Sequence, residues 1–250
     1  MYKKATFLHI PEDENTPIWR YMDFTKFISL IDKQELFFAW ADKLGDPFEG
    51  SYTEVNLAGE LEAINKSELM PKIKEHLIQQ LGVDRSNRLR NCCGINSWHK
   101  SSYESAALWK LYMRSEQGIA VKSKFCQLRD CFKPDTPDIY IGEVEYIDYS
   151  QDAIDASNYF YPFFRKRNSF EHEKELRALF IDWGLLLKNK EILIDGKGVP
   201  IELATLIDKV YLAPNSPEWM YHLVKSVMER YGLNKEVVHS SIDNKPSFLY

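Results

Sequence analysis

The sequence lacks every glycine-rich phosphate loop, whether of the Walker or the dinucleotide type. No His-Glu-x-x-His metal helix occurs, and no Gly-x-Ser-x-Gly, which removes the usual hydrolase elbow. Cysteine is scarce: Cys92 and Cys93 are adjacent, and Cys126 with Cys131 has the wrong spacing for a zinc ribbon. No histidine pair completes a ligand set, so reduced, partly buried thiols are expected and no metal site is read. Positive charge is also short, with 32 Lys+Arg against 37 Asp+Glu and a net charge of −5. That leaves no global cationic field to draw in nucleic acid or anionic lipid. Gly and Pro number 11 each, which argues against fibrous and disordered classes. No apolar run approaches the ~20 residues that span a bilayer. The first residues are cut off by Pro11 and the acidic Glu12 to Glu14 before any secretion signal develops. A cytoplasmic protein with no membrane partner is expected.

What the sequence has is aromatic mass: 6 Trp, 14 Tyr and 14 Phe in 250 residues. That suits a well-packed core first, and stacking surfaces for a base or nicotinamide ring second. Ile18 to Met22 reads as a strand, and Asp23 then caps a helix carrying Phe24, Phe27, Ile28 and Ile31. Glu35 to Trp40 reads as a buried strand, followed by a turn-rich loop through Gly50. Residues 53–82 form a helical excursion, with an apolar stripe of Leu69, Ile73, Leu77, Ile78 and Leu81 and a stop at Gly82. Strands are expected at Asn91 to Trp98, Gly118 to Ser123, Ile139 to Ile147 and Glu173 to Ile181, with a helix at Glu104 to Met113. Short strands near Ile192 to Ile194 and Lys209 to Leu212 precede a helix capped by Ser216, begun at Pro217 and stopped at Gly232. Val237 to His239 makes a last strand. Without linker, repeat or regular βαβ rhythm, residues 1–250 read as a single α+β domain.

The segment richest in chemistry is Phe170 to Phe180. Strand alternation puts Glu173, Glu175 and Arg177 on one face. Lining a cleft, one carboxylate can stabilise an oxocarbenium-like centre while the other orients an acceptor, with Arg177 steadying the pair. The same run also fits a solvated face of cross-strand ion pairs, the commoner outcome for such a segment. Arg20, between Trp19 and Tyr21, suits a phosphate clamp or a buried ion pair with Asp46 or Glu49. Asn96-Ser97-Trp98-His99 ends a strand before a helix that places Ser105, Trp109 and Tyr112 on one face. The two hydroxyls there need partners if buried, so ligand and core roles are balanced. His172 reads as surface. Two further readings stay open. Arg165-Lys166-Arg167 beside Tyr159, Phe160, Tyr161, Phe163 and Phe164 has the make-up of a single-strand stacking platform. Asp46, Glu49, Glu173 and Glu175 together are able to hold a divalent metal in a nuclease.

As an ordered set, Trp19-Arg20-Tyr21, Leu36-Phe37-Phe38, Asp46-Pro47-Phe48-Glu49, Ser97-Trp98, Glu104-Ser105 with Trp109 and Tyr112, Lys166, and Glu173-Lys174-Glu175-Leu176-Arg177 resembles a widespread bacterial and phage family of unknown function. More distantly, an early Arg, a middle Ser and a late Glu-x-Glu resemble the ADP-ribosyltransferases. That resemblance implies a mixed or antiparallel split β-sheet with flanking helices that grips NAD without a glycine loop. It implies that Arg20 meets the NAD phosphate or ribose, Ser97 supports the nicotinamide pocket and Tyr112 stacks on the ring. Glu175 would hold the nicotinamide ribose, Glu173 would orient the acceptor, and Tyr21, Trp98, Ser105, Trp109 and Arg177 would complete the binding surface. The activity it implies is ADP-ribosyl transfer to nucleic acid or protein, as in a toxin or phage-defence effector. The middle motif departs from the usual Ser-Thr-Ser of that family.

Overall fold

The computed structural model describes residues 1–81, 89–112, 117–188 and 194–245. Strand β1 (Pro17–Asp23) runs straight into helix α1 (Phe24–Lys33), whose first turn is capped by the Asp23 carboxylate accepting from the Lys26 amide at 2.7 Å. Phe27, Leu30 and Ile31 form the buried face of α1, and Gln34 ends it in the left-handed region at φ 52°. Strand β2 (Glu35–Trp40) follows at once. The excursion consists of α2 (Glu54–Lys66), capped by Thr53, and α3 (Pro71–Gln80). Its apolar stripe lies outward, with Leu69, Ile73 and Ile78 about two-fifths exposed. The expected stop at Gly82 lies outside the described residues.

Strand β3 (Cys93–Lys100), helix α4 (Ala106–Tyr112), strand β4 (Gly118–Lys124) and helix α5 (Phe125–Asp130) come next. The expected strand at 139–147 breaks at Val144 into β5 (Tyr140–Glu143) and β6 (Glu145–Ile147). After β7 (Arg165–Arg167) a 3-10 turn, Asn168–Glu173, leads into β8 (Glu175–Ile181). Helix α6 (Trp183–Lys188), strand β9 (Gly196–Pro200), helix α7 (Leu203–Leu206), strand β10 (Lys209–Leu212), helix α8 (Glu218–Arg230) and strand β11 (Glu236–His239) follow among the described residues. Residues 192 and 193 of the strand expected at 192–194 lie outside the described residues, and the strand that is present starts at Gly196. Helix α8 begins at Glu218, one residue later than its sequence signal, with Pro217 as its cap.

Among the described residues nine strands form one sheet in the order β11-β10-β4-β1-β3-β2-β9, with β8 joined to β3 and β5 to β8. All its pairings are antiparallel except β10 with β11, so the fold is α+β with a mixed, mostly antiparallel sheet. One face carries the large core of Ile18, Phe38, Trp98, Phe180 and Val210 under α1, α5 and α8. The other carries Ile95, Phe163, Phe164 and Leu179. Strand β8 is therefore buried on both faces, as its continuous burial from Glu175 to Ile181 shows.

Gly196 allows the outer pair β2–β9 to close. A Cβ there would lie 2.1 Å from the Phe38 carbonyl oxygen and 2.6 Å from the Phe37 ring. Gly196→Ala is expected to lower stability by about 1–3 kcal/mol through this overpacking. A urea titration reads it as a lower midpoint at unchanged slope, and an unmoved midpoint contradicts the packing.

Candidate active site

The sheet opens at β3. One edge of β3 is paired to β8 over its whole course from Cys93 to His99. The other edge is shared: β1 holds it at His99 and Lys100, and β2 holds it at Gly94 and Ile95. Among the described residues Asn96, Ser97 and Trp98 have no strand partner on that side, because β1 and β2 diverge there. Backbone groups in such a gap still need partners. Arg20 Nη1 donates to the Ser97 carbonyl at 2.8 Å, and Asn96 Nδ2 donates to the Phe37 carbonyl at 2.9 Å. The split expected from the resemblance is thus a feature of this chain. It opens into a cleft of about 790 Å³ that reaches Arg20, Tyr21, Ser97, Trp98, Tyr112, Glu173, Glu175 and Arg177 together.

Glu175 and Arg177 lie on one face of β8, in register with His99 and Ser97 of β3. Arg177 is fully buried and every arm is used. Nη1 and Nη2 reach the two Glu49 oxygens at 2.7 Å each, Nε reaches Glu175 Oε2 at 2.9 Å, and Nη1 also donates to the Phe163 carbonyl. This is a rigid guanidinium fork between two carboxylates. Burial alone would push the Glu175 carboxyl up. Arg177, Lys166 and hydrogen bonds from Arg177 and Ser97 outweigh it and hold Glu175 below the usual carboxylate range. Glu175 is therefore a fixed anion in a largely dry wall.

Glu173 arrives differently from expectation. It ends the 3-10 turn rather than starting the strand, and Lys174 after it is left-handed at φ 41°. That single residue breaks the alternation, so Glu173 does not share the strand face of Glu175. Its carboxylate still reaches the site, where it accepts from Lys166 Nζ. Lys166 is 3.7 Å from Glu175 and 3.8 Å from Glu49, with its ammonium over the Phe170 ring. The Asp46 to Gly50 turn folds inward and buries both of its carboxylates. Asp46 binds Arg167 at 2.7 Å and Glu49 binds Arg177, so neither pairs with Arg20. Arg20 has no carboxylate within 4.0 Å among the described residues. Burial lowers its pKa to about 10, against the pull of Tyr112 and Glu175, so it remains charged at neutral pH. Four carboxylates meet three paired cations at one end of the cleft, and an unpaired cation stands at the gap.

Tyr112 is half exposed at the mouth. Its hydroxyl end is desolvated and sits in the field of Glu173 and Glu175, which together push its pKa up to about 12. Tyr21 lines the cleft but its hydroxyl accepts from the Ser105 amide, while Ser105 Oγ caps α4 by accepting from the Leu108 amide. Trp109 is buried edge-on against Tyr21, with its indole N–H on Glu104. Ser105 and Trp109 shape the wall without reaching the cleft. Trp98 spends its indole N–H on Asn96 Oδ1. Lys166, Glu49, Phe170 and His99 also line the cleft. Lys166 sits in a run of three basic residues whose sequence signal is that of a surface patch, and nothing local marks it as buried.

Burial and pairing withdraw part of the stacking platform read from the sequence, while Tyr159 stays 39% exposed. Phe163 and Phe164 are fully buried, Arg165 pairs with Glu145, and Lys166 and Arg167 are taken by the carboxylates above. Asp46, Glu49, Glu173 and Glu175 are each paired to a cation, and the described residues contain no group of three or more His, Cys, Asp or Glu able to hold a metal ion.

No family model matches the chain, and no curated protein matches it. Among solved structures it is similar to Thermus sp. 2.9 DarT in complex with NAD+, at 11% identity and a TM-score of 0.41, over 91% of this chain and 96% of that one. It is also similar to Thermus sp. 2.9 DarT in complex with ADP-ribosylated ssDNA, at 12% identity and a TM-score of 0.41, over 93% and 97%.

Proposed function

We propose that this chain is an NAD-consuming enzyme of the ADP-ribosyltransferase kind, which splits nicotinamide from ribose and passes ADP-ribose to an acceptor. The observation that carries the reading is the pairing, in one cleft, of an ionised Glu175 held by Ser97 and Arg177 with an Arg20 that has no carboxylate partner among the described residues. NAD is cationic at the nicotinamide and anionic at the diphosphate, and the cleft offers the opposite sign at each place. Arg20 takes the diphosphate, for which a charged planar fork is suited. Glu175 accepts from a ribose hydroxyl and faces the carbon where positive charge develops as the glycosidic bond breaks, its electron pair leaving with nicotinamide. Ser97 and Arg177 keep that carboxylate charged and aimed. Tyr112 presents its ring at the mouth, and a nucleic acid or protein is the acceptor class.

Incubation with NAD labelled in its nicotinamide tests the reading. Release above the uncatalysed rate supports it, and a folded protein that releases none ends it. Arg20→Gln is expected to weaken NAD binding about tenfold to a hundredfold, through loss of a charge-assisted contact worth roughly 1.5–3 kcal/mol. A calorimetric titration showing the same affinity in both proteins removes Arg20 from the diphosphate site.

A further inference from the structure

We propose that His99 is the base that takes the proton from the acceptor, the nucleic-acid or protein group (or water) that attacks the ribose carbon. This rests on the NAD-cleaving reading above and adds to it the group that completes transfer.

An attacking hydroxyl or amide carries a proton that must leave as its bond to the ribose carbon forms. Glu175 is poorly placed to accept it, since its oxygens are engaged by Arg177 and Ser97 and its charge is needed at the carbon. Glu173, the acceptor-orienting residue implied by the resemblance, is committed to Lys166, whose ammonium holds its carboxylate. His99 has what both lack. It lines the cleft on β3 directly opposite Glu175, and is 8% exposed. Its Nδ1 lies 2.6 Å from the Glu173 carbonyl, an oxygen that can only accept, so Nδ1 carries the proton and Nε2 carries the lone pair. Among the described residues nothing hydrogen-bonds Nε2. The backbone contact fixes the tautomer and the ring plane, as an orienting group does for a catalytic imidazole.

The surrounding groups keep the ring neutral. Burial lowers the His99 pKa most. The Glu173 carbonyl and carboxylate oppose this, while Lys174 and His172 on the same turn add to it. Glu175 faces the ring from β8, and Trp19 faces it from β1 without charge. At neutral pH the ring is thus free to accept. The bond from the ribose carbon to nicotinamide breaks with its electron pair on nicotinamide. The acceptor's lone pair forms the new bond, and the acceptor's proton moves to Nε2, leaving an imidazolium that returns it to solvent.

His99→Asn tests this, because its side-chain amide replaces the Nδ1 donor to the Glu173 carbonyl while deleting Nε2. Nicotinamide release and NAD affinity are measured from pH 5 to 9. The expected result is NAD affinity within about twofold of wild type and a turnover loss of about a hundredfold or more. The acidic limb of the turnover profile, where protonation silences the base in wild type, is expected to vanish, and added imidazole to restore part of the rate. Turnover within threefold of wild type, a retained acidic limb, or a loss explained by failed NAD binding overturns the proposal. Wild-type protein that releases no nicotinamide overturns the underlying reading as well, so the two failures are told apart.

Discussion

Glu175→Gln is expected to cut nicotinamide release by about a hundredfold to a thousandfold while leaving NAD affinity within a few-fold. The magnitude is that of removing one preorganised group from the place where transition-state charge develops. Gln keeps the size and one accepting oxygen for Arg177, and its amide N–H can donate to the Ser97 hydroxyl, so both retain a partner and the wall of the cleft survives. What it removes is the fixed negative charge. That charge faces bulk solvent poorly, at 8% exposure, and acts through a low-dielectric gap where it counts for more than in water. A substrate whose carbon becomes cationic only in the transition state loses mostly turnover and little binding. Turnover within threefold of wild type would place the chemistry elsewhere.

Arg177→Met is expected to destabilise the protein by about 3–5 kcal/mol, the usual effect of deleting one member of a buried ion cluster. Arg177 is 0% exposed and is the shared partner of Glu49 and Glu175, so its removal strands two carboxylates in the sheet. Chemical denaturation reads the loss. The double variant Glu49→Gln with Arg177→Met is expected to recover part of it, since the two sites are coupled. The pH dependence has a sign that checks the cause. In the wild type the native Glu175 pKa is held below its unfolded value. Its contribution is therefore present above about pH 4.3 and lost as pH falls through the lowered native value. In Arg177→Met the largest opposing attraction is gone and burial dominates, so protonating Glu175 favours the native state. The stability gap between the two proteins is expected to narrow from pH 7 to pH 4. A gap that widens on acidification contradicts this account of Arg177.

The sequence carried the secondary structure wherever period and punctuation agreed. Asp23 ahead of a helix with Phe27 and Ile31 on its buried face, and the aromatic Glu35 to Trp40, were visible as local patterns. Arg20, Ser97 and Glu175 stood out as an ordered set, and the fold does bring them to one cleft. What stayed hidden depended on contacts far apart in the chain. A left-handed lysine at 174 carries no glycine to announce it, so Glu173 read as part of the strand. Arg165-Lys166-Arg167 read as the basic part of a single-strand stacking platform because its acidic partners, Glu145, Asp46, Glu49 and Glu173, lie mostly on other elements. The imidazole of His99 reads as an unremarkable strand end until residue 173 folds back onto its Nδ1. The opening at β3 depends on which strands share an edge, and no local pattern encodes that.

A crystal structure with a non-hydrolysable NAD analogue tests the central claim most directly. The diphosphate is expected against the Arg20 guanidinium in the gap between β1 and β2, and the nicotinamide-side ribose within hydrogen-bonding distance of Glu175. An analogue bound away from that gap, or with its diphosphate turned toward Glu173 and Glu175, would contradict it.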